Sequence, residues 1–104
     1  MPRAHRLRYE LSPESVHDIA EALIYLDAES PAAADKLQAD LTDAFEHLSA
    51  WPETGHRRND LTSQAVRFWK SGHYLIVYRV ANRTVQIVAV LHASRDIPEI
   101  LALR

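Results

Sequence analysis

From Arg6 to Leu11 apolar and polar residues alternate, with Leu7, Tyr9 and Leu11 on one side and Arg6, Arg8 and Glu10 on the other. A period of two marks a half-buried strand. Ser12-Pro13 ends it. Serine can cap a helix N-terminus, and proline suits the first helical position, where its missing N–H would be unpaired anyway. Val16, Ile19, Ala20, Leu23 and Leu26 then recur at helical spacing as one apolar stripe, which Asp27 to Ser30 closes. Ser30-Pro31 repeats the start signal, and Leu37, Leu41, Ala44, Phe45 and Leu48 form a second stripe. Helices joined by so few residues must run antiparallel as a hairpin. Asp18, Glu21, Asp35, Asp40 and Asp43 fall off the stripes, which assigns them to solvent.

Trp51-Pro52-Glu53-Thr54-Gly55 is a break, because proline disfavours helix before it and glycine permits a left-handed turn. His56 to Gln64 is polar and irregular, a surface loop. Strands follow at about 65–70, 74–80 and 84–92, with turns at Ser71-Gly72-His73 and Ala81-Asn82-Arg83. Ile87 to Leu91 is continuously apolar, so this strand is central and covered on both faces. Asp96 can cap a last short helix, Ile97 to Leu103, whose apolar side is Ile97, Ile100, Leu101 and Leu103. The order is β-αα-βββ-α. It predicts an α+β fold, with an antiparallel sheet, a helical hairpin on one face and a short C-terminal helix.

At 104 residues the chain fits one domain, 1–104, since domains run to roughly 100–150 residues. An apolar fraction of 47% with 25% charged residues is the balance of a soluble globular protein. There is no cysteine, hence no disulfide or thiolate chemistry, and a reducing cytoplasmic home is expected. No apolar run approaches the ~18 residues of a membrane span, and the arginine-bearing N-terminus lacks the apolar core of a secretory signal. Charge is segregated. Lys36 is the only Lys or Arg between Glu10 and Glu53, among eleven acids. From Thr54 onward eight bases outnumber three acids. A basic C-terminal half suits an acidic partner, but the whole-chain charge of −2 argues against a nucleic-acid binder that gains affinity by releasing counterions. No sequence-specific nucleic-acid contact is therefore expected.

Several chemistries are excluded at this stage. His5, His17, His47, His56, His73 and His92 are widely spaced, none with a second ligand at helix or turn spacing, so no metal site is expected. Two glycines cannot build a phosphate-cradling loop, and no cofactor is expected. The carboxylates crowd helix faces as solubilising charge. Trp51 and Trp69 read as packing residues more readily than as stacking platforms.

A series of short motifs points further. They are Tyr9-x-Leu11-Ser12-Pro13, Ile24-Tyr25-Leu26, Ser30-Pro31-x-Ala33-Ala34, Phe45-x-x-Leu48-x-x-x-Pro52-x-x-Gly55 and Val66-Arg67-x-Trp69. Tyr74-x-Ile76-x-Tyr78-Arg79 and Val90-Leu91-His92-Ala93-x-Arg95-Asp96 complete the series. In this order and at these spacings the chain resembles the ParE-type toxins of the RelE/ParE toxin–antitoxin superfamily over essentially its whole length. The resemblance implies a cytoplasmic toxin in a hetero-oligomeric complex with a cognate antitoxin, whose C-terminal segment wraps it. ParE-type members act on DNA gyrase, trapping its cleaved-DNA intermediate, and are not enzymes. RelE-type members share the fold but cut mRNA in the ribosomal A site.

The two chemistries make different demands. Ribonuclease action needs groups to activate the 2′-hydroxyl, stabilise the phosphate and protonate the leaving oxygen. Lys70 and Arg95 match basic positions of the RelE-like pattern, and His92 could serve as acid or base or simply bond the backbone that follows it. The tyrosine common in the final helix of RelE-like enzymes is missing here. A gyrase poison instead needs a recognition surface. Arg67, Trp69, Arg79, Arg83, Arg95 and Arg104 are its candidates, because arginine's planar fork pairs carboxylates while its stem packs. Arg67 and Arg79 could equally bond acids of the helices. Leu101 and Leu103 either pack the core or border an antitoxin groove, and the antitoxin is expected to be acidic opposite the basic half. A third reading is a non-toxic remnant that still binds its antitoxin.

Overall fold

Serine caps and proline starts fix both long helices where the sequence places them. The computed structural model describes residues 6–104, and His5 lies outside them. β1 (Arg8–Leu11) leads into α1 (Pro13–Glu29) and α2 (Pro31–Ala50). β2 (Arg67–Ser71), β3 (Tyr74–Ala81), β4 (Thr84–His92) and α3 (Ile97–Ala102) follow. Ser12 Oγ accepts the Ser15 N–H at 3.0 Å, and Ser30 Oγ accepts the Ala33 N–H at 3.3 Å. Ser30 has two duties, because its own N–H also closes α1 onto the Leu26 carbonyl at 2.7 Å. A single extended residue therefore joins the two helices.

The strands lie in the order β1-β4-β3-β2. β2, β3 and β4 form the expected antiparallel meander. β1 does not continue the antiparallel pattern: it runs parallel to β4, with Arg8 opposite Thr84 and Leu11 opposite Ile87. The long path through hairpin and meander allows this, since parallel neighbours need a long connection. Gly72-His73 and Asn82-Arg83 are two-residue turns. Asn82 and Arg83 both have positive φ, 54° and 59°, the twist that matches flanking strands in a type I′ turn.

As expected, β4 is covered on both faces, and β3 beside it is too. Leu37, Leu41, Phe45 and Leu48 of α2 pack on Ile76, Tyr78, Val85, Ile87 and Val90, with Tyr9 and Leu11 of β1 beside them. On the other face Val66, Phe68, Val77, Ala89 and Leu91 pack with Ile97 and Leu101 of α3.

α1 departs from the expected stripe. Ser15 and Asp18 are buried, Ile19, Ala22, Leu23 and Leu26 are half-buried, and Val16 is 50% exposed. At 100° per residue the buried arc centres near Ser15, Ala22 and Leu26, roughly 90° from Val16. The assignment of Asp18 to solvent is thus overturned: the helix turns an acid inward.

Tyr78 ties the loop after α2 to the sheet. Its hydroxyl donates to the Pro52 carbonyl at 2.8 Å and accepts the Gly55 N–H at 2.9 Å. Gly55 must lack a side chain, since a Cβ there would lie 2.7 and 2.9 Å from Cε1 and Cζ of that ring. Tyr78→Phe should cost about 1–3 kcal/mol, the penalty for stranding buried polar groups, read as a lower urea midpoint at unchanged slope. Burial raises the Tyr78 phenol above its ordinary value, partly opposed by the Gly55 N–H and the charge of Arg67. The neutral ring is favoured by folding, so its contribution is intact below the unfolded pKa near 10 and lost as pH climbs through the folded one. Tyr78→Phe should flatten this alkaline limb, leaving the part that Tyr74, also raised by burial, contributes.

Candidate functional site

Strand register decides which basic side chains share a face. Ser71, Tyr74 and His92 lie in one cross-strand row, and Lys70, Leu75 and Leu91 in the next. Adjacent rows point to opposite faces. The row of Leu75 and Leu91 belongs to the core under α3, whereas Tyr74 packs on the hairpin side. Lys70 and His92 therefore emerge on opposite faces of the sheet.

The six candidate target-binding residues separate by what they already hold. Arg67 Nη1 donates to the carbonyls of Gly55 at 2.9 Å and Glu53 at 3.3 Å, clamping the loop that Tyr78 also holds. Trp69 stacks on His47 with ring centroids 4.9 Å apart, a packing role. Arg79 is exposed and donates through Nε to Gln86 Oε1 at 3.0 Å. Neither Arg67 nor Arg79 bonds a helix acid among the described residues. Arg83 projects from the β3–β4 turn, and Arg95 is exposed in the loop before α3. Arg79, Arg83 and Arg95 have no carboxylate partner among the described residues.

Arg104 is engaged differently. Its Nη1 and Nη2 donate to Asp18 Oδ2 and Oδ1 at 2.6 and 2.8 Å, a bidentate fork. The two side chains are 17% and 6% exposed. Asp18 Oδ2 also accepts the Val90 N–H at 3.1 Å, and Arg104 Nη1 reaches the Val88 carbonyl at 3.3 Å. The hydrogen bonds that Arg104 donates to Asp18 lift the Arg104 pKa against the opposing effect of burial. Arg104 is thus a structural strut in the free chain. Leu101 is likewise core, 2% exposed, while Leu103 is 87% exposed. Of the two leucines expected at an antitoxin groove, only Leu103 presents a side chain to solvent.

A cleft of about 460 Å³ opens between α1 and the end of β4. Asp18, Glu21, Ala22 and Tyr25 of α1 form one wall; Tyr74, His92, Ser94 and Arg95 line the rest with Val90 and Leu91. The Ser94 N–H donates to His92 Nδ1 at 3.1 Å, so Nδ1 carries the lone pair and the neutral ring holds its proton on Nε2. This is the local backbone contact considered for His92 from sequence. Arg95 and His92 share the cleft, and Lys70 is outside it. Tyr25 and Tyr74 were not among the sequence candidates; the motifs Ile24-Tyr25-Leu26 and Tyr74-x-Ile76 contained them, but nothing local showed that they line one cleft. Among the described residues no group of three His, Cys, Asp or Glu could hold a metal, and no helix is long and apolar enough to cross a membrane.

A four-stranded sheet lies under a helical hairpin, with arginines on its open parts. The family model described as "ParE toxin of type II toxin-antitoxin system, parDE" matches residues 9–97. The chain belongs to the ParE toxin family of type II toxin–antitoxin systems. "Putative toxin Y4kP" of Sinorhizobium fredii is 28% identical over 96 residues, covering 92% of this chain and 96% of that protein. A solved structure, "Chromosomal ParDE TA system from P. aeruginosa", shares the fold with a TM-score of 0.68. It is 17% identical and covers 86% of this chain and 98% of its own.

The strut can be tested directly. Asp18→Ala leaves a guanidinium and the Val90 N–H without their acceptor and should cost about 3–5 kcal/mol, as for other broken buried pairs. Asp18→Asn keeps an acceptor for Val90 and should cost less. Urea unfolding of both variants, with Arg104→Ala as the third corner, measures the difference. Equal losses for Asn and Ala would show that the Val90 contact contributes nothing.

Proposed function

We propose that the chain acts on DNA gyrase through an arginine-bearing surface made of the uncovered part of the sheet, the β3–β4 turn and the β4–α3 loop, and that a cognate antitoxin holds it inactive. The observation that carries this reading is the separation of Lys70 from His92 and Arg95 by the thickness of the sheet. Phosphodiester cleavage needs its acid, base and phosphate-stabilising groups around one phosphate. A docking surface has no such need. Exposed arginines without carboxylate partners supply it, and Arg79, Arg83 and Arg95 are the ones in that condition. The solved relative is a ParDE TA system, which supports an antitoxin partner and a hetero-oligomeric complex for this chain.

Arg83 adds weight. A non-glycine residue in the left-handed region costs roughly 1–2 kcal/mol, and glycine or asparagine is the usual choice in such a turn. An arginine at φ 59° is kept there at a cost, which fits a side chain used for contact.

Purified protein should inhibit supercoiling by gyrase and accumulate cleaved plasmid. Arg83→Gly should separate stability from action: unfolding becomes harder by about 1 kcal/mol, while about tenfold more protein is needed for the same inhibition, the usual loss for an interfacial arginine. Codon-phased mRNA cuts with gyrase untouched would overturn the reading in favour of a ribosome-dependent ribonuclease. Absence of both activities and of toxicity, with a stable complex to the product of the neighbouring gene, would identify an antitoxin-binding remnant.

A further inference from the structure

The inward turn of Asp18 leaves an apolar ridge on the solvent side of α1. Val16 and Ile24 are 50% and 73% exposed, with exposed Ala20 between them and exposed Ala28 one turn on. Their spacing of four residues makes one continuous ridge, large-small-large-small. Asp27 lies roughly 60° from Ile24 to one side and Glu21 roughly 60° to the other, each within one turn of it. α1 has five acids and no Lys or Arg; its one basic side chain, His17, sits 3.5 Å from Glu21. Among the described residues only Asp18 of these acids is paired with Lys or Arg.

We propose that this face of α1 docks a basic amphipathic helix of a protein partner, its apolar side on Val16, Ala20 and Ile24 and its Lys or Arg flanks against Glu21 and Asp27. The inference is independent of the gyrase reading, because it concerns the acidic helical side and not the arginine surface. Ala20 leaves a dip between Val16 and Ile24, and Ala28 another beyond Ile24, into which side chains of a crossing helix can insert. The charge selects among occupants. A second copy would bring two acid-flanked ridges together with no Lys or Arg on either, and like charges across an interface are costly. Anionic membranes and nucleic acids carry the wrong sign. A helix of opposite charge is what remains.

Two synthetic helical peptides of about 18 residues, long enough to hold helix, serve as probes. They share leucines at helical spacing and differ only in lysine or glutamate at the flanking positions. Anisotropy at low salt should show the lysine probe binding the full chain at least about tenfold more tightly than its twin. Amide shifts in NMR should map to Val16–Ala28. Val16→Ser with Ile24→Ser should weaken the lysine probe about tenfold without lowering the melting temperature, since both side chains are exposed. Glu21→Lys with Asp27→Lys should reverse the preference. Equal affinity for the twins, no binding of either, or serine variants that bind as well as the parent would overturn the proposal. So would a dimer of the free chain that Ile24→Ser disperses, which would make the occupant a second copy.

Discussion

The uncovered edge of β4 is the constraint around which the rest of the chain is arranged. β1 pairs only with Thr84–Ile87, whereas β4 runs on to His92. Beyond Ile87 no strand among the described residues takes the backbone groups on that side, and a buried unpaired one costs about 1–3 kcal/mol. Side chains stand in for the strand. Ser12 Oγ reaches the Val88 carbonyl at 3.3 Å, Asp18 accepts the Val90 N–H at 3.1 Å, and Arg104 also reaches Val88 at 3.3 Å. A carboxylate this deep would be strongly unfavourable alone, and the guanidinium fork offsets its desolvation. The acid comes from the first helix and the base from the segment after the last. Closing the edge therefore fixes where both lie.

That closure has consequences on both sides of the sheet. Because α1 must aim Asp18 at Val90, its apolar residues divide. Ile19, Leu23 and Leu26 pack on the core, while Val16 and Ile24 face solvent. Because Arg104 is drawn to α1, the segment after α3 crosses the β4 edge while Ile97 and Leu101 cover part of the far face. Arg79, at the β3–β4 end of that face, stays open. The segregation of charge along the chain becomes a segregation in space. Apart from Asp18 the acids of the hairpin lie outward, and Arg79, Arg83 and Arg95 lie exposed on the open sheet and its adjoining turn and loop.

Much of this was legible in the sequence. The caps Ser12, Ser30 and Asp96, the prolines after them and the period of each strand place the elements within a residue or two, because these signals act over one or two turns of chain. The double-sided burial of β4 followed from its unbroken apolar run. Three things were not legible. The parallel pairing of β1 depends on which edge it finds, and no local pattern encodes that. The burial of Asp18 could not be read from a helical wheel, because its partners Arg104 and Val90 lie more than seventy residues away. The arginines looked alike in sequence, and only the fold separates Arg67 and Arg104, which hold the chain together, from Arg79, Arg83 and Arg95.

The parity of the strands bears on what such a fold can do. A sheet with one face under a helical hairpin offers two separate surfaces, and a shift of one residue moves a side chain from one to the other. Lys70 and Arg95 match basic positions of the RelE-like pattern, yet the row occupied by Lys70 is that of Leu91, not of His92. In this chain the row carrying His92 ends at Ser71 on β2, which brings a hydroxyl and no charge to the hairpin side. Which face receives a basic group is therefore decided by residues that stand one position apart on β2. The dispersal of the basic groups over two faces is poor geometry for attack on a single phosphate. It suits contact with a large surface, because each arginine there needs only its own carboxylate or backbone partner.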